Sequence, residues 1–184
     1  MATATTLMTA EEFARLSDTT PYELVRGELV EMNRPTIRHG LVCRNVMLLL
    51  GNWADRTSAG YVIPNDTGVM TERDPDSVRG PDCFFIRRER APAKLAEMKW
   101  LEIAPDLAVE VLSPGDAWPK VTAKVGEYLA FGVVEVWVID PQQREMFRYR
   151  GDAGPEVLSE DDTLTSEATL PGFSCRVGEF FRDV

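Results

Sequence analysis

Histidine is nearly missing from this 184-residue chain: His39 is the only one, beside three cysteines at 43, 83 and 175. One histidine, with cysteines lacking the usual ligand spacing, makes a zinc site improbable and predicts reduced thiols in a cytoplasmic protein. No apolar run approaches the ~18 residues that span a bilayer. The N-terminal "MATATTLMTAEEF" shows no basic segment leading into an apolar one, so no secretory signal is expected. Positive charge is also scarce. Twenty Lys and Arg against 30 Asp and Glu give a net charge of -10, which argues against a general nucleic-acid coat protein. An enzyme with a locally basic surface remains compatible with that balance.

What the chain does have is an ordinary globular composition, 44% hydrophobic and 27% charged, enough for one domain over residues 1–184 with a substantial core. Thr9 and Glu12 have capping-box spacing, with Met8 and Phe13 placed as a hydrophobic staple, which predicts a short helix to about Leu16. "YELVRGELVEM" (22–32) reads as an N-terminal hairpin turning at Arg26-Gly27. Val42, Val46, Leu49 and Trp53 recur at helical spacing between Thr36 and about Asp55. Short strands are expected near Tyr61–Ile63, Gly68–Met70 and Asp82–Arg87.

The segment 106–139 carries the strongest topological signal. A strand at Asp106–Ser113 precedes a helix whose apolar face holds Trp118, Val121, Val125, Tyr128 and Leu129 and which stops at Gly132. "VVEVWVID" (133–140) follows as a second apolar strand, so a βαβ unit with parallel strands and a right-handed crossover is predicted. "REMFRYR" (144–150) should return antiparallel, and a turn of helix is expected around Val177–Phe181. The fold class is α/β (α+β), a mixed sheet flanked by helices.

Within the first of those strands, Glu110 sits among Ala108, Val109, Val111 and Leu112, where a carboxylate is costly without compensation. An ion pair is the ordinary explanation; a metal ligand or acid-base group needs partners in reach. Asp106, on the same strand face, would lie ~13 Å away, too far to share an ion. A neighbouring strand is only ~5 Å away, and Asp82 in "RGPDCFFI" begins a strand able to return beside it. Lys124 borders the apolar face of the following helix and could aim its ammonium at Glu110, whereas Lys120 should be more exposed.

These segments, in the order "YELVRGELVEM", "HG" at 39–40, "GPD", "PDLAVEVLSP", a lysine, then "YLAFGVVEVWVIDP", resemble the Uma-two family of endonucleases. That family belongs to the restriction-endonuclease-like PD-(D/E)XK superfamily, and the likeness runs from about Thr9 to Phe181. The resemblance implies a restriction-endonuclease-like sheet, Asp82 as the acid of the PD motif, and Glu110 as the (D/E) residue. The position two beyond Glu110 is Leu112, so the lysine role passes to Lys124 on the helix, and the "PD" at Pro105-Asp106 is a decoy. It further implies a hard divalent cation, Mg²⁺ or Mn²⁺, on Asp82 and Glu110. Glu23 or Glu28 could add an acidic group, and His39 could contact phosphate or the site, although exposed hairpin acids and a structural histidine are the ordinary readings.

Two functions stand at this point. One is a metal-dependent endonuclease cutting phosphodiesters, with DNA as partner, as a homodimer, without a membrane or a small organic cofactor. The other is a catalytically silent nuclease-fold module used for protein interaction or regulation. The bases Arg87, Arg88, Arg90, Lys94 and Lys99, and Arg34, Arg38 and Arg44 near His39, could line a groove or equally form solvated faces.

Overall fold

The computed structural model describes residues 7–16 and 22–184. Its centre is a six-stranded mixed sheet in the order β10-β9-β8-β7-β6-β3. These strands are β3 (Gly60–Pro64), β6 (Cys83–Arg87), β7 (Leu107–Val111), β8 (Glu135–Asp140), β9 (Glu145–Tyr149) and β10 (Glu156–Ser159). β7 and β8 are parallel, joined through helix α3 (Trp118–Phe131), and the other neighbours are antiparallel. The predicted βαβ unit is therefore present, with Gly132 closing α3 in the left-handed region at φ 107°.

Strand alternation assigns the two faces of this sheet. Leu107, Val109 and Val111 of β7 point to the face covered by helix α2 (Ile37–Thr57). There they join Val42, Val46, Leu50 and Trp53 in a core closed by Phe180 and Phe181. Leu50 rather than Leu49 is fully buried, a small rotation of the expected helix face. Ala108 points to the opposite face, under Val125 and Tyr128 of α3. Both faces of β7 are thus covered, as its unbroken apolar run requires.

A second, four-stranded sheet, ordered β2-β1-β5-β4, lies beside α3. Its members are β1 (Tyr22–Val25), β2 (Glu28–Glu31), β4 (Val69–Glu72) and β5 (Ser77–Arg79). β1 and β2 form the predicted hairpin, with Arg26 and Gly27 both at positive φ, as a tight primed turn demands. Helix α1 (Ala10–Phe13) carries the predicted Thr9/Glu12 capping box and packs Met8 and Phe13 against Leu24, Met70 and Val78. The tail adds a two-stranded sheet, β11 (Thr163–Ser166) with β12 (Leu170–Arg176), and a 3-10 turn at Val177–Phe181. Strand β5 has no counterpart among the sequence expectations: three residues are too few to show a period. No helix among the described residues is long and apolar enough to cross a membrane.

Candidate active site

The antiparallel register of β6 and β7, with Phe84 opposite Ala108 and Cys83 opposite Val109, brings Asp82 opposite Glu110. Glu110 has the parity of Ala108 and meets Lys124 and Tyr128 of α3, while Asp82, just before β6 begins, reaches back to His39 in the first turn of α2. Asp82 is anchored by the backbone: its Oδ2 accepts the Val111 N–H at 2.6 Å. The preceding Pro81 and the start of β6 leave this carboxylate at the sheet's end, where a cavity of about 250 Å³ opens. Glu23, His39, Asp66, Arg79, Asp82, Glu110 and Lys124 line that cavity.

Lys124 reaches the acids from α3. Its Nζ lies 2.9 Å from Glu110 and 2.8 Å from Glu23, and it donates to the Gly80 carbonyl at 3.2 Å. Three acceptors match the three protons of an ammonium. The two carboxylates hold Lys124 well above its ordinary pKa, against the opposing effect of burial. Tyr128, one turn further along α3, donates its hydroxyl to Glu110 Oε1 at 2.8 Å. Burial pushes the Glu110 carboxyl up to about 7, with Lys124 pulling the other way and Asp82 adding to the rise.

Glu23 arrives from β1, the central strand of the small sheet's hairpin side. Beyond Lys124, it accepts the Gly80 N–H at 2.9 Å and pairs with Arg79 at 2.9 Å. Burial raises the Glu23 pKa, but Lys124 and Arg79 outweigh it together and the net shift is downward. Arg79 also binds Glu127 of α3, which accepts from Thr71 as well, so the small sheet is tied to the helix carrying Lys124. His39, in the first turn of α2, places Nε2 3.1 Å from Asp82 Oδ1. Desolvation lowers its pKa, while hydrogen bonding and charge from Asp82 raise it further, for a net upward shift.

Asp82, Glu110, Lys124, Glu23 and His39 thus meet in one place. Glu28 does not: it is exposed on β2, outside the residues lining the cavity. Asp106 is elsewhere too. It accepts the Arg87 N–H at 2.8 Å and pairs with Arg90 at 2.7 Å, a buried structural anion. Several neighbours gave no usable signal in sequence. Arg79 lies on the unforeseen β5, and Asp66 follows β3 in a turn at positive φ. Tyr128 was assigned to the core face, which it also serves. Cys43 had a signal, its four-residue spacing from His39 on a helix, and its Sγ lies 3.4 Å from His39 Nδ1.

The donor set suits a hard divalent cation. Glu23, Asp66, Asp82 and Glu110 bring four carboxyl groups to one cavity, while Lys124 and an Arg79 shared with Glu127 are the cations among the lining residues nearest them. Asp66 reports the imbalance, because burial and the Asp82 charge raise its pKa. Oxygen-rich, over-acidic surroundings of this kind are what Mg²⁺ or Mn²⁺ would neutralise.

Comparison with known proteins agrees with this architecture. Residues 10–178 match the Uma2 family, described as "Putative restriction endonuclease". A solved structure from Anabaena variabilis, described as "a putative nuclease belonging to DUF820", shares the fold. Its TM-score is 0.84 at 21% identity, covering 95% of this chain and 98% of that one. No curated protein sequence matches. With the family pattern extending over nearly its whole length and the restriction-endonuclease-like fold beneath it, the chain belongs to the Uma2 family.

Proposed function

We propose that this protein is a metal-dependent endonuclease that hydrolyses phosphodiester bonds in nucleic acid, DNA being the expected substrate. The observation carrying this reading is the convergence of Asp82, Glu110 and Lys124 from two adjacent strands and the crossing helix onto one acidic cavity. A purely structural Glu110 would be satisfied by Lys124 and Tyr128 alone and would need no second acid opposite it.

Asp82 and Glu110 would hold Mg²⁺ or Mn²⁺, with a backbone carbonyl from the Val111–Leu112 segment, and the bound ion would acidify water and neutralise phosphate charge. The chain's own residues perform the rest. The Val111 N–H fixes the Asp82 carboxylate, so its free lone pairs stay aimed into the cavity. Lys124, kept charged by Glu110 and Glu23, serves as a fixed cation and hydrogen-bond donor rather than as a base. It orients the attacking water or stabilises the charge developing on the phosphate. Tyr128 holds Glu110 from its buried side, and Glu23 limits where the ammonium can move. His39, which lines the same cavity, can donate to a phosphate oxygen while it remains near Asp82.

Nucleic-acid binding would draw on Lys120 beside the cavity and Arg38 in the adjoining cleft that His39 also lines. Cutting both strands of DNA calls for two such sites, hence a homodimer. The second reading, a silent nuclease-fold module, draws on a different observation. Arg87 and Arg90 pair with Asp106, and Lys94 with Glu97, so three of the five bases between 87 and 99 are paired with acids of the chain. The deciding experiment is cleavage of DNA and RNA by purified protein with Mg²⁺ or Mn²⁺. Cleavage abolished by Asp82→Ala and by Glu110→Ala is expected. A wild type that cuts neither polymer, or mutants that cut equally well, would overturn the nuclease reading in favour of the module.

A further inference from the structure

Cys43 has no part in phosphodiester chemistry, yet its thiol does not simply face the core. It stands one helical turn after His39, and residues four apart share a helix face. Its Sγ lies 3.9 Å from His39 Nε2, and that nitrogen lies 3.1 Å from Asp82 Oδ1. One ligand atom from each of His39, Cys43 and Asp82 falls within 4.8 Å of the others. Metal bonds of about 2.0–2.3 Å at tetrahedral angles separate ligand atoms by about 3.3–3.6 Å. The two separations fall on either side of that range, and Sγ lies nearer Nδ1, at 3.4 Å, so closing the cluster on an ion requires the Cys43 side chain to rotate toward Nε2.

We propose that His39, Cys43 and Asp82 form a second metal site, selective for a borderline cation such as Zn²⁺, which competes with the hard-cation site for Asp82. An imidazole, a thiolate and a carboxylate favour Zn²⁺ over Mg²⁺, whereas Asp82 with Glu110 offers oxygen alone. The scaffold is already rigid. His39 and Cys43 sit in the opening turns of α2, whose Thr36 side chain caps the His39 N–H at 3.2 Å, and Asp82 is pinned by Val111. The three side chains are half-buried, which leaves solvent to fill the fourth position. As the S–Zn bond forms, the Cys43 thiol releases its proton to solvent; nothing is oxidised or reduced. The regulatory consequence rests on the nuclease reading: an ion on His39 and Cys43 would occupy Asp82 Oδ1, which already lies 3.1 Å from His39, and so deny that oxygen to a hard cation shared with Glu110, silencing the site.

The test reads metal binding first, independent of any activity. Metal-free protein is titrated with Co²⁺ and then Zn²⁺. One equivalent of Co²⁺ with a thiolate-to-metal charge-transfer absorption, displaced by Zn²⁺, is expected. Cys43→Ser and Cys43→Ala should both lose that absorption and weaken Zn²⁺ binding by at least about tenfold, while Cys175→Ala should retain both. No charge-transfer absorption, or equal Zn²⁺ affinity in both Cys43 variants, overturns the site. In wild-type protein that cuts nucleic acid with Mg²⁺, Zn²⁺ at the concentration that fills the site should inhibit cleavage, reversibly with a chelator. Full cleavage with zinc bound would overturn the competition for Asp82. A protein that binds zinc through Cys43 but never cuts would instead sink the nuclease reading and leave the metal site standing.

Discussion

The ammonium of Lys124 lies 2.9 Å from the Glu110 carboxylate, deep between α3 and the central sheet. Breaking such a pair by removing one partner leaves the other charge uncompensated, at a cost of about 3–5 kcal/mol. Lys124→Met should therefore destabilise the metal-free protein by roughly that much, and adding Glu110→Gln should restore part of the loss. Urea denaturation of both single variants and the double variant measures the coupling. Strictly additive losses would show that the two charges do not depend on each other.

Asp82 and Asp106 both follow a proline, and their substitutions should separate cleanly. Asp106→Ala leaves the part-buried Arg87 N–H without its acceptor and frees two part-exposed arginines, and should cost about 1–3 kcal/mol in stability. Asp82→Ala removes a group at the mouth of a cavity and should abolish cleavage with a much smaller stability change. Paired melting curves and cleavage assays decide this. An Asp106 variant that folds normally yet cannot cut would reverse the assignment of the two motifs.

Tyr128→Phe deletes one hydrogen bond to Glu110 and leaves the ring in place under the α3 core. A stability loss of about 1.5–3 kcal/mol is expected, since the bond is to a charged acceptor. Any cleavage should fall far less than in Glu110→Ala. A complete loss of cleavage would give the hydroxyl a direct chemical role.

The thiols should be quiet. Burial pushes the Cys83 and Cys175 thiols up to about 12, and burial with the nearby Asp82 charge raises Cys43 as well. Because the thiolate is the reactive form, metal-free native protein at pH 7–9 should react slowly with iodoacetamide at all three positions. Rates should rise sharply in urea. Mass spectrometry after timed labelling reads each site, and rapid native labelling at Cys83 would contradict its burial.

The legible parts of this molecule are those with a strong local period or a paired local signal. The Thr9/Glu12 box, the Arg26-Gly27 turn and the β7–α3–β8 crossover each carry their cause within a few residues. Glu110 was legible because a carboxylate in an unbroken apolar strand violates the local pattern. Its partners were harder to read. Asp82 became visible through strand spacing and the family likeness, and Lys124 through its place at the edge of a helix face. Arg79 and Asp66 could not be read, since a three-residue strand and a turn after β3 have no period, and their importance comes only from what packs against them. Cys43 has a faint cue, because its spacing from the other cysteines carries no ligand pattern and only its four-residue step from the single histidine places it near the site.

The lysine-centred network spans the two sheets, with Glu23 on the outer hairpin and Lys124 a hundred residues later on α3. Closing contacts of that sequence separation is slow relative to local pairing. The charged centre therefore depends on contacts remote in sequence rather than on any one local element. A chain that ends before residue 124 holds Glu23 and Glu110 without the ammonium that joins them, so the network closes only once α3 is present.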